Sequence, residues 1–312
     1  MAFLYALPGA VAEGLIWGLM AIGVYISYKI LDIADLTVDG SICTGACVCA
    51  VLLGMGVPAW ASVLAALTAG ALTGIVTGLL HTLLGIPSIL AGILTQLMLY
   101  SVNLLILSGK SLMPIDPRAN ELLVHMSDNN HSIVSLVIIV AATIFLLYEF
   151  FYTEIGLTLK STGDNPDMSR AQGVDVNRNK VVGLAIANGI VAMAGALLAQ
   201  YKGSANINDG RGAIVIGLAA IFIGLSVSLK IKPNFVVSLI GVVGGGIVYY
   251  IVYNFVILLG LKTDYLKMLS AVIVALFLGI PYLQAKYFPK HRDLRASDLI
   301  SKNNEARGHR HA

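Results

Sequence analysis

The chain has 312 residues, of which 57% are hydrophobic and only 12% are charged, and its formal net charge is +3. Soluble domains carry about 25% charged residues, so this composition excludes an ordinary soluble domain and predicts an integral membrane protein. Long apolar windows follow one another with short polar breaks, which predicts helices rather than a barrel. We therefore expect an all-α, polytopic membrane bundle over residues 1–283, followed by a basic, partly disordered cytoplasmic tail over 284–312.

About nine membrane spans are predicted in chain order, with eight or ten as alternatives. They cover residues 10–30, 38–55, 57–80, 87–108, 132–152, 179–201, 212–229, 233–254 and 264–283. Most of the 20 lysines and arginines fall on one side of this arrangement, and the positive-inside rule makes that side cytoplasmic. The amino terminus is then expected outside the cell and the carboxyl terminus inside.

Glycines mark two features of the spans. Gly70, Gly74 and Gly78 stand four residues apart and form a small-residue ridge, which is typical of membrane helices that pack closely. The run 244–246 is all glycine and indicates either close packing or a break in the eighth span.

A weak internal repeat is also expected, with broken or re-entrant segments. An Asp-Gly pair precedes an apolar run and a proline-led span twice, at Asp39 with Pro58 and at Asp209 with Pro233. Many transporters contain such repeats, with broken helices at corresponding positions.

The acidic residues before the second span, Asp32, Asp35 and Asp39, are interpreted as caps at the cytoplasmic end of that helix. Few other ionisable residues lie within the spans. This argues against a proton pump or a cation-coupled carrier, which usually place carboxylates or histidines on the ion path.

The polar residues embedded in the spans are neutral. They are Thr68, Thr73, Thr77, Thr95, Gln96, Asn103, Asn188 and Gln200. Each is expected either to hydrogen-bond between helices or to line a polar path for a small solute. Gln96, Asn103 and Asn188 are the candidates for a substrate path, because a buried amide without partners is costly.

No feature of the sequence indicates an enzyme. Cys43, Cys47 and Cys49 lie in one apolar segment without a nearby histidine, so packing is expected there rather than a metal site. A nucleophile elbow, a phosphate loop and a metal-binding helix motif are all missing from the sequence. We therefore expect a chain without a metal or cofactor, and any ATPase must be a separate chain.

The stretch from Glu154 to Gly173 is the long polar interval between two apolar blocks. Asp164, Asn165 and Pro166 predict the start of a helix, because an Asx side chain caps free backbone N–H groups and proline suits the first turn. Gly163, directly before them, is expected to be a flexible joint.

This interval, GLTLKSTGDNPDMSRAQGVDVNRNK, resembles the cytoplasmic loop of ATP-binding-cassette importer permeases of the branched-chain amino acid and ribose permease superfamily. DLTVDGS at Asp35–Ser41 is similar to a motif of the sugar branch. The stretches Leu79–Gly109 and Ala199–Gly224 look closer to a branch of tryptophan, tyrosine or other amino-acid permeases. The resemblance covers about residues 10 to 283.

The resemblance implies a permease of the bacterial cytoplasmic membrane that dimerises with a second copy or a paralogue around a path for a small polar solute, such as an amino acid. It also implies two ATPase subunits on the cytoplasmic side and a solute-binding protein outside, with membrane lipid but no nucleic acid as further partners. The short helix of the loop would dock in a groove of the ATPase. The residues carried over for this coupling are Gly163, Asp164, Asn165, Pro166 and Arg170.

Two questions stay open from the sequence. An ATP-independent carrier or channel for a small neutral solute is the alternative function. An amino acid, a sugar and a nucleoside all suit a neutral polar path as substrates.

Overall fold

The computed structural model describes residues 2–116, 121–126, 128–231 and 234–258, with a few isolated helical positions between 268 and 279. The helices of this part are α1 Ala2–Tyr25, continued by a π-helical turn Ile26–Ile30, α2 Val38–Gly54, α3 Ala59–Thr82, α4 Ser88–Ile106, α5 Asn129–Tyr152, α6 Glu154–Asp164, α7 Pro166–Ala171, α8 Val176–Lys202, α9 Ala213–Ile231 and α10 Phe235–Leu258. Two short strands, β1 Leu112–Pro114 and β2 Ser204–Asn206, pair antiparallel. Most of the ninth predicted span and the whole tail 284–312 lie outside the described residues.

Six helices of the described part are long and apolar enough to cross a membrane, so the prediction of an all-α membrane protein is confirmed. They are α1 with its π-helical turn, α3, α4, α5, α8 and α10. The predicted spans 38–55 and 212–229 correspond to the shorter apolar stretches Val38–Gly54 and Ala213–Ser226. The count of nine spans is not confirmed.

Helix α8 lies at the centre of the bundle and defines its two ends. It runs from the loop end, where α6 and α7 lie, to the strand end, where β1 and β2 pair. Helix α1 runs antiparallel to it, because Gly9 lies beside Tyr201 while a side chain at Gly23 would overlap the carbonyl oxygen of Ala187. The first predicted span starts at residue 10, but α1 already begins at Ala2 and therefore contains Pro8.

The predicted glycine ridge packs on α8. Side chains at Gly70 and Gly74 would overlap the carbonyl oxygens of Asn188 and Leu184, so α3 approaches α8 backbone to backbone. The close-packing interpretation of the ridge is confirmed.

The glycine run 244–246 lies within α10, which is a continuous helix. A side chain at Gly245 would overlap the carbonyl oxygen of Ala220, and one at Gly246 would crowd Gly14 and Gly18. Of the two interpretations, close packing is correct, because the glycines let α10 approach both α9 and α1.

Two non-helical segments carry the chain back into the bundle. Residues 31–37 follow α1 at the loop end and lead into α2, where Ser41 lies 2.7 Å from Asn188 near the middle of the 27-residue α8. Residues 203–212 leave α8 at the strand end and lead into α9, which begins beside Asp39 of α2. Helices α2 and α9 therefore begin at nearly the same level inside the bundle and run in opposite directions.

The two halves of the chain repeat this pattern in the same order but in opposite orientation. Each half has a long helix, a re-entrant segment, a helix that begins inside the bundle and a second long helix, α1–α3 in one and α8–α10 in the other. Helix α3 packs on α8, and α10 packs on α1. The two Asp-Gly pairs meet at the centre, where Gly210 packs against the carbonyl oxygen of Asp39.

Candidate functional site

The short helix α7 at the loop end begins where the sequence predicts. The Asn165 side chain accepts a hydrogen bond of 3.0 Å from the Met168 backbone N–H, and Pro166 occupies the first turn. Asp164 is instead the last residue of α6. The predicted helix start is therefore confirmed at Asn165 and Pro166, and α7 is a capped, separate turn of helix.

Gly163 is not a flexible joint. It lies inside α6, and a side chain there would overlap the carbonyl oxygen of Ile30 at the end of the π-helical turn. The interpretation from the sequence is wrong because what this position requires is a close backbone contact, which any residue with a Cβ atom would prevent. Gly163 therefore lets the backbone of α6 pack directly against the end of α1.

Hydrogen bonds connect α7 to α6 and α6 to α8. Ser169 of α7 donates to the Ser161 hydroxyl at 3.3 Å. The Asn179 side chain of α8 donates to the Thr162 hydroxyl at 3.0 Å, and both residues are buried. Side-chain hydrogen bonds therefore connect α7 to α8 by way of α6.

Lys160 connects α6 to two further helices. Its ammonium lies 4.4 Å from the centre of the Phe235 ring in α10 and 5.2 Å from that of Phe151 in α5. Burial lowers the pKa of Lys160, and the neighbouring Asp164 carboxylate opposes this shift. The cation–π contacts bring α5, α6 and α10 together at the loop end.

The outer surface of α6 and α7 is exposed and mixed in character. Arg170 and Asp167 form a solvent-exposed ion pair of 3.2 Å, which contributes little to stability. Three large apolar side chains, Ile155, Leu157 and Met168, are also exposed, with Met168 at 60%. Apolar side chains beside charged ones are typical of a surface that binds a protein partner.

A second site lies at the centre of the bundle, where Asp35 is only 2% exposed. Its carboxylate accepts hydrogen bonds from the Thr37 backbone N–H at 2.9 Å and from the Asn188 side-chain nitrogen at 2.6 Å. Asp35 is therefore a buried member of the bundle rather than a cap at its surface. The sequence suggested that the polar residues embedded in the bundle are all neutral, and the buried carboxylate of Asp35 shows that they are not.

Hydroxyl groups extend this network across four helices. The Ser41 hydroxyl of α2 donates to the Asn188 side-chain oxygen at 2.7 Å and lies 2.7 Å from the Thr73 hydroxyl of α3. Three threonines continue it, with Thr37 and Thr77 at 2.7 Å and Thr77 donating to Thr95 of α4 at 3.0 Å. Interhelical hydrogen bonding, one of the two roles expected from the sequence, is therefore observed for Thr73, Thr77, Thr95 and Asn188.

Asp39 caps a helix, but not its own. Its two carboxylate oxygens accept hydrogen bonds of 2.9 Å from the backbone N–H groups of Gly212 and Ile214 at the start of α9. Asp32 is exposed, with φ of 55°. The capping role predicted for this acidic group applies to α9 rather than to α2, because the two re-entrant segments place α9 beside it.

A cavity of about 370 Å³ lies between α2, α4 and the segment that precedes α9. Its polar wall is formed by Asp39, Cys43, Gln96, Asn103 and Arg211, and its apolar wall by Leu97, Tyr100 and Ile207. Gln96 and Asn103, two of the three residues that the sequence singles out, therefore face one cavity. Asn188 does not line it and lies in the buried network instead.

Two cavity residues have unused hydrogen-bonding groups. Asn103 is 1% exposed, and its side-chain oxygen has no hydrogen-bond partner. The Arg211 guanidinium lies 5.9 Å from the centre of the Tyr100 ring, and no described acidic side chain forms an ion pair with it. Sequence reasoning missed Arg211, although the Asp-Gly-Arg triplet at 209–211 marks the second re-entrant segment.

The three cysteines of α2 are buried side chains that pack near this cavity. The Cys43 thiol donates to the Ile207 carbonyl oxygen at 3.2 Å and accepts from the Gly210 N–H at 3.1 Å. Cys43, Cys47 and Cys49 are buried and free. In the part of the chain that the structure describes, no group of three metal-ligating side chains occurs.

Comparison with known proteins assigns a family to this arrangement. The model of a family described as the permease component of branched-chain amino acid transport systems matches residues 9–279. A tyrosine transport system permease protein of Clostridioides difficile is 36% identical over 271 residues, which are 86% of this chain and 88% of the relative.

More distant relatives have other substrates in their names. A ribose import permease protein of Escherichia coli is 24% identical over 244 residues, covering 78% of this chain and 75% of the relative. A nucleoside ABC transporter permease protein of Lactococcus lactis is 23% identical over 254 residues, covering 76% and 67%. No solved structure shows a significant match.

Proposed function

Because the chain belongs to the family of permease components of branched-chain amino acid transport systems, we propose that it is the membrane subunit of an ATP-binding-cassette importer and couples to its ATPase subunits through α6 and α7. The chain is a transport subunit of an integral membrane system. ATP hydrolysis takes place on a separate partner.

The connection of α7 to the membrane helices carries this proposal. Asn165 and Pro166 set a rigid helix on the exposed surface of the loop end. Gly163 seats α6 on α1, the Thr162–Asn179 hydrogen bond joins it to α8, and Lys160 joins it to α5 and α10. A push on α7 therefore displaces four membrane helices as a body, which suits a chain that receives motion from a partner.

The partner's contact is expected on the outer surface of α7. Arg170, Asp167 and Met168 are exposed there, beside Asp164 at the end of α6. Positive-inside asymmetry places this end in the cytoplasm, where the ATPase subunits are. The amino terminus then lies outside and the carboxyl terminus inside.

A second permease copy or a paralogue completes the path. The central cavity is bordered by Leu97 and Tyr100 of α4, whose side chains are 65% and 41% exposed, so it opens on the surface of α4. Two copies that meet near α4 would enclose their cavities between them. Gln96 and Asn103 would line the resulting path, and a solute-binding protein would deliver the solute at the strand end.

An amino acid is the proposed class of solute. The relative from Clostridioides difficile is named for tyrosine transport and is more similar to this chain than the ribose and nucleoside permeases described above.

Co-purification tests the coupling role. The tagged full-length chain is purified from membranes of its own cells, and the co-purifying ATP-binding subunit is quantified by mass spectrometry. Met168→Asp and Arg170→Glu are expected to reduce its recovery about tenfold, since both alter the proposed contact. Lys110→Glu, at an exposed position of the strand end, is the matched control and should leave recovery unchanged.

Two results would contradict the proposal. Equal recovery of the ATP-binding subunit with both α7 variants would remove α7 from the interface. Solute uptake by vesicles that contain the chain alone, without ATP, would instead support an ATP-independent carrier.

A further inference from the structure

The central cavity combines a free cation with unused acceptors, which the family assignment does not explain. It lies where α2 and α9 begin, and its walls come from both inverted halves of the chain. Its volume of about 370 Å³ falls in the lower part of the range for small-molecule sites, roughly 300–1,000 Å³. What its side chains can bind follows from their charges and hydrogen-bonding capacity.

Arg211 provides the positive side of the cavity. Its guanidinium is positioned by the face of Tyr100 at 5.9 Å and has no ion-pair partner among the described side chains. A guanidinium held in this way presents its planar set of N–H donors to a carboxylate, which it binds with two parallel hydrogen bonds.

Asn103 and Asp39 provide the acceptors. Asn103 lines the cavity, and its side-chain oxygen is buried without a hydrogen-bond partner. The Asp39 carboxylate accepts backbone hydrogen bonds from Gly212 and Ile214 and also interacts with the Ala213 N–H. A carboxylate has about four acceptor positions, so capacity remains for a further donor. An ammonium group, with three donors and a positive charge, satisfies both residues at once.

The apolar wall leaves space for a side chain. Leu97, Tyr100 and Ile207 line the rest of the cavity, and Tyr100 offers an aromatic edge and face to a ring or branched chain. A sugar would place hydroxyl groups against this wall and leave Arg211 without a negative partner.

We propose that this cavity binds the zwitterionic head of an α-amino acid with an apolar or aromatic side chain. Its carboxylate lies on Arg211, and its ammonium group lies between Asn103 and Asp39. The proposal rests on the importer function and names the substrate class and the specificity-determining residues of its path.

Binding by the full-length chain in lipid nanodiscs tests this directly, in the absence of an ATPase or a solute-binding protein. Saturation-transfer NMR compares L-tyrosine with tyramine, which lacks the carboxylate, with 3-(4-hydroxyphenyl)propionate, which lacks the ammonium group, and with D-ribose. L-Tyrosine should bind about 10-fold or more tightly than either single-charge analogue, because each analogue leaves a charged or buried polar group unpaired. Equal binding of tyramine, or binding of D-ribose alone, would overturn the proposal.

Variants then assign the two ends of the ligand. Arg211→Gln should weaken L-tyrosine binding about 10-fold or more and abolish the preference over tyramine, while Arg211→Lys should restore part of both. Asn103→Leu should weaken binding of L-tyrosine and of tyramine but not of the propionate. Lys110→Gln is the control. It removes an exposed positive charge at the strand end of the bundle and should leave the binding of all the ligands unchanged. Unaltered binding in Arg211→Gln would overturn the assignment, and the ligand series on the unmodified chain decides the matter if a variant fails to fold.

The two proposals fail in distinguishable ways. Loss of ATP-binding subunit recovery in the α7 variants with no zwitterion preference in nanodiscs would leave the importer function intact and overturn the cavity assignment. A zwitterion preference with unchanged recovery would support the cavity and contradict the coupling role.

Discussion

Asn188 donates a hydrogen bond of 2.6 Å to the carboxylate of Asp35, and both side chains are buried near the middle of the bundle. Asp35 comes from the re-entrant segment 31–37, and Asn188 comes from α8. No lysine, arginine or histidine among the described residues forms an ion pair with Asp35. Because this hydrogen bond joins the re-entrant segment to the middle of α8, it fixes the depth at which the chain re-enters the bundle.

Replacing Asn188 by leucine should destabilise the folded chain by about 2–3 kcal/mol. The substitution leaves a buried carboxylate whose remaining hydrogen bonds come from Thr37 alone, and hydrogen bonds to charged groups contribute about 1.5–3 kcal/mol. The measurement is unfolding of the purified chain in a denaturing detergent, followed by the fluorescence of Trp17 and Trp60.

Two further variants provide the controls. Thr68→Val removes an exposed hydroxyl that bonds within its own helix and should change stability by less than about 0.5 kcal/mol. The double variant Asp35→Leu with Asn188→Leu should cost less than the sum of the two single changes, because it leaves no unpaired partner. Simple additivity would contradict the proposed coupling of the two residues.

The sequence predicts the helices well because their signals are local. Apolar windows locate the long helices, the spacing of Gly70, Gly74 and Gly78 predicts a close-packing face of α3, and Asn165 with Pro166 predicts the start of α7. Each of these signals lies within one or two turns of the element that it specifies.

The residues that the sequence misassigned depend on contacts between distant segments. Asp39 caps α9 across 173 to 175 residues of chain, and Gly163 is required by its contact with Ile30. Asp35 resembles a surface cap in the sequence, but the re-entrant segment after α1 places it beside the buried Asn188. Nothing local to Arg211 shows that it shares a cavity with Gln96 and Asn103.

Adjacent glycines in α10 should respond oppositely to alanine. A methyl group at Gly245 would overlap the Ala220 carbonyl oxygen, whereas nothing lies within 4 Å of the same position at Gly244. Gly245→Ala should therefore separate α9 from α10 and destabilise the chain by about 1–3 kcal/mol. Gly244→Ala should be neutral or stabilising by about 0.5–1 kcal/mol, because alanine restricts the unfolded chain and favours a helix. Detergent unfolding of both variants measures the difference, and equal effects would contradict the contact between α9 and α10.

Removing the cap of α7 should affect coupling more than stability. Asn165→Ala deletes the hydrogen bond to the Met168 N–H, which contributes about 1 kcal/mol to a helix of six residues. We expect ATP-dependent uptake to fall about fivefold or more, while unfolding of the membrane bundle stays unchanged.

Asn177→Ala is the matched control for this prediction. Asn177 is exposed in the first turn of α8, whose cap is Asp175. Uptake should therefore remain at the level of the unmodified chain. A similar loss of uptake in both variants would show that the cap of α7 has no special role.

The carboxylate of Asp39 should control the stability of the start of α9. Asp39→Ala deprives the Gly212 and Ile214 N–H groups of their acceptor, a loss of about 1–2 kcal/mol at a helix start. Hydrogen exchange in the peptide that spans 207–216 should accelerate roughly tenfold, since 1.4 kcal/mol corresponds to a factor of ten. Asp39→Asn keeps one acceptor oxygen and should show a smaller effect. Asp32→Asn is the control, because Asp32 is exposed and its left-handed backbone conformation also suits asparagine. Hydrogen exchange in the peptide 207–216 should not change in this variant. Unaltered exchange at 212 and 214 in Asp39→Ala would show that α9 begins independently of α2, and that the two inverted halves are not joined through this carboxylate.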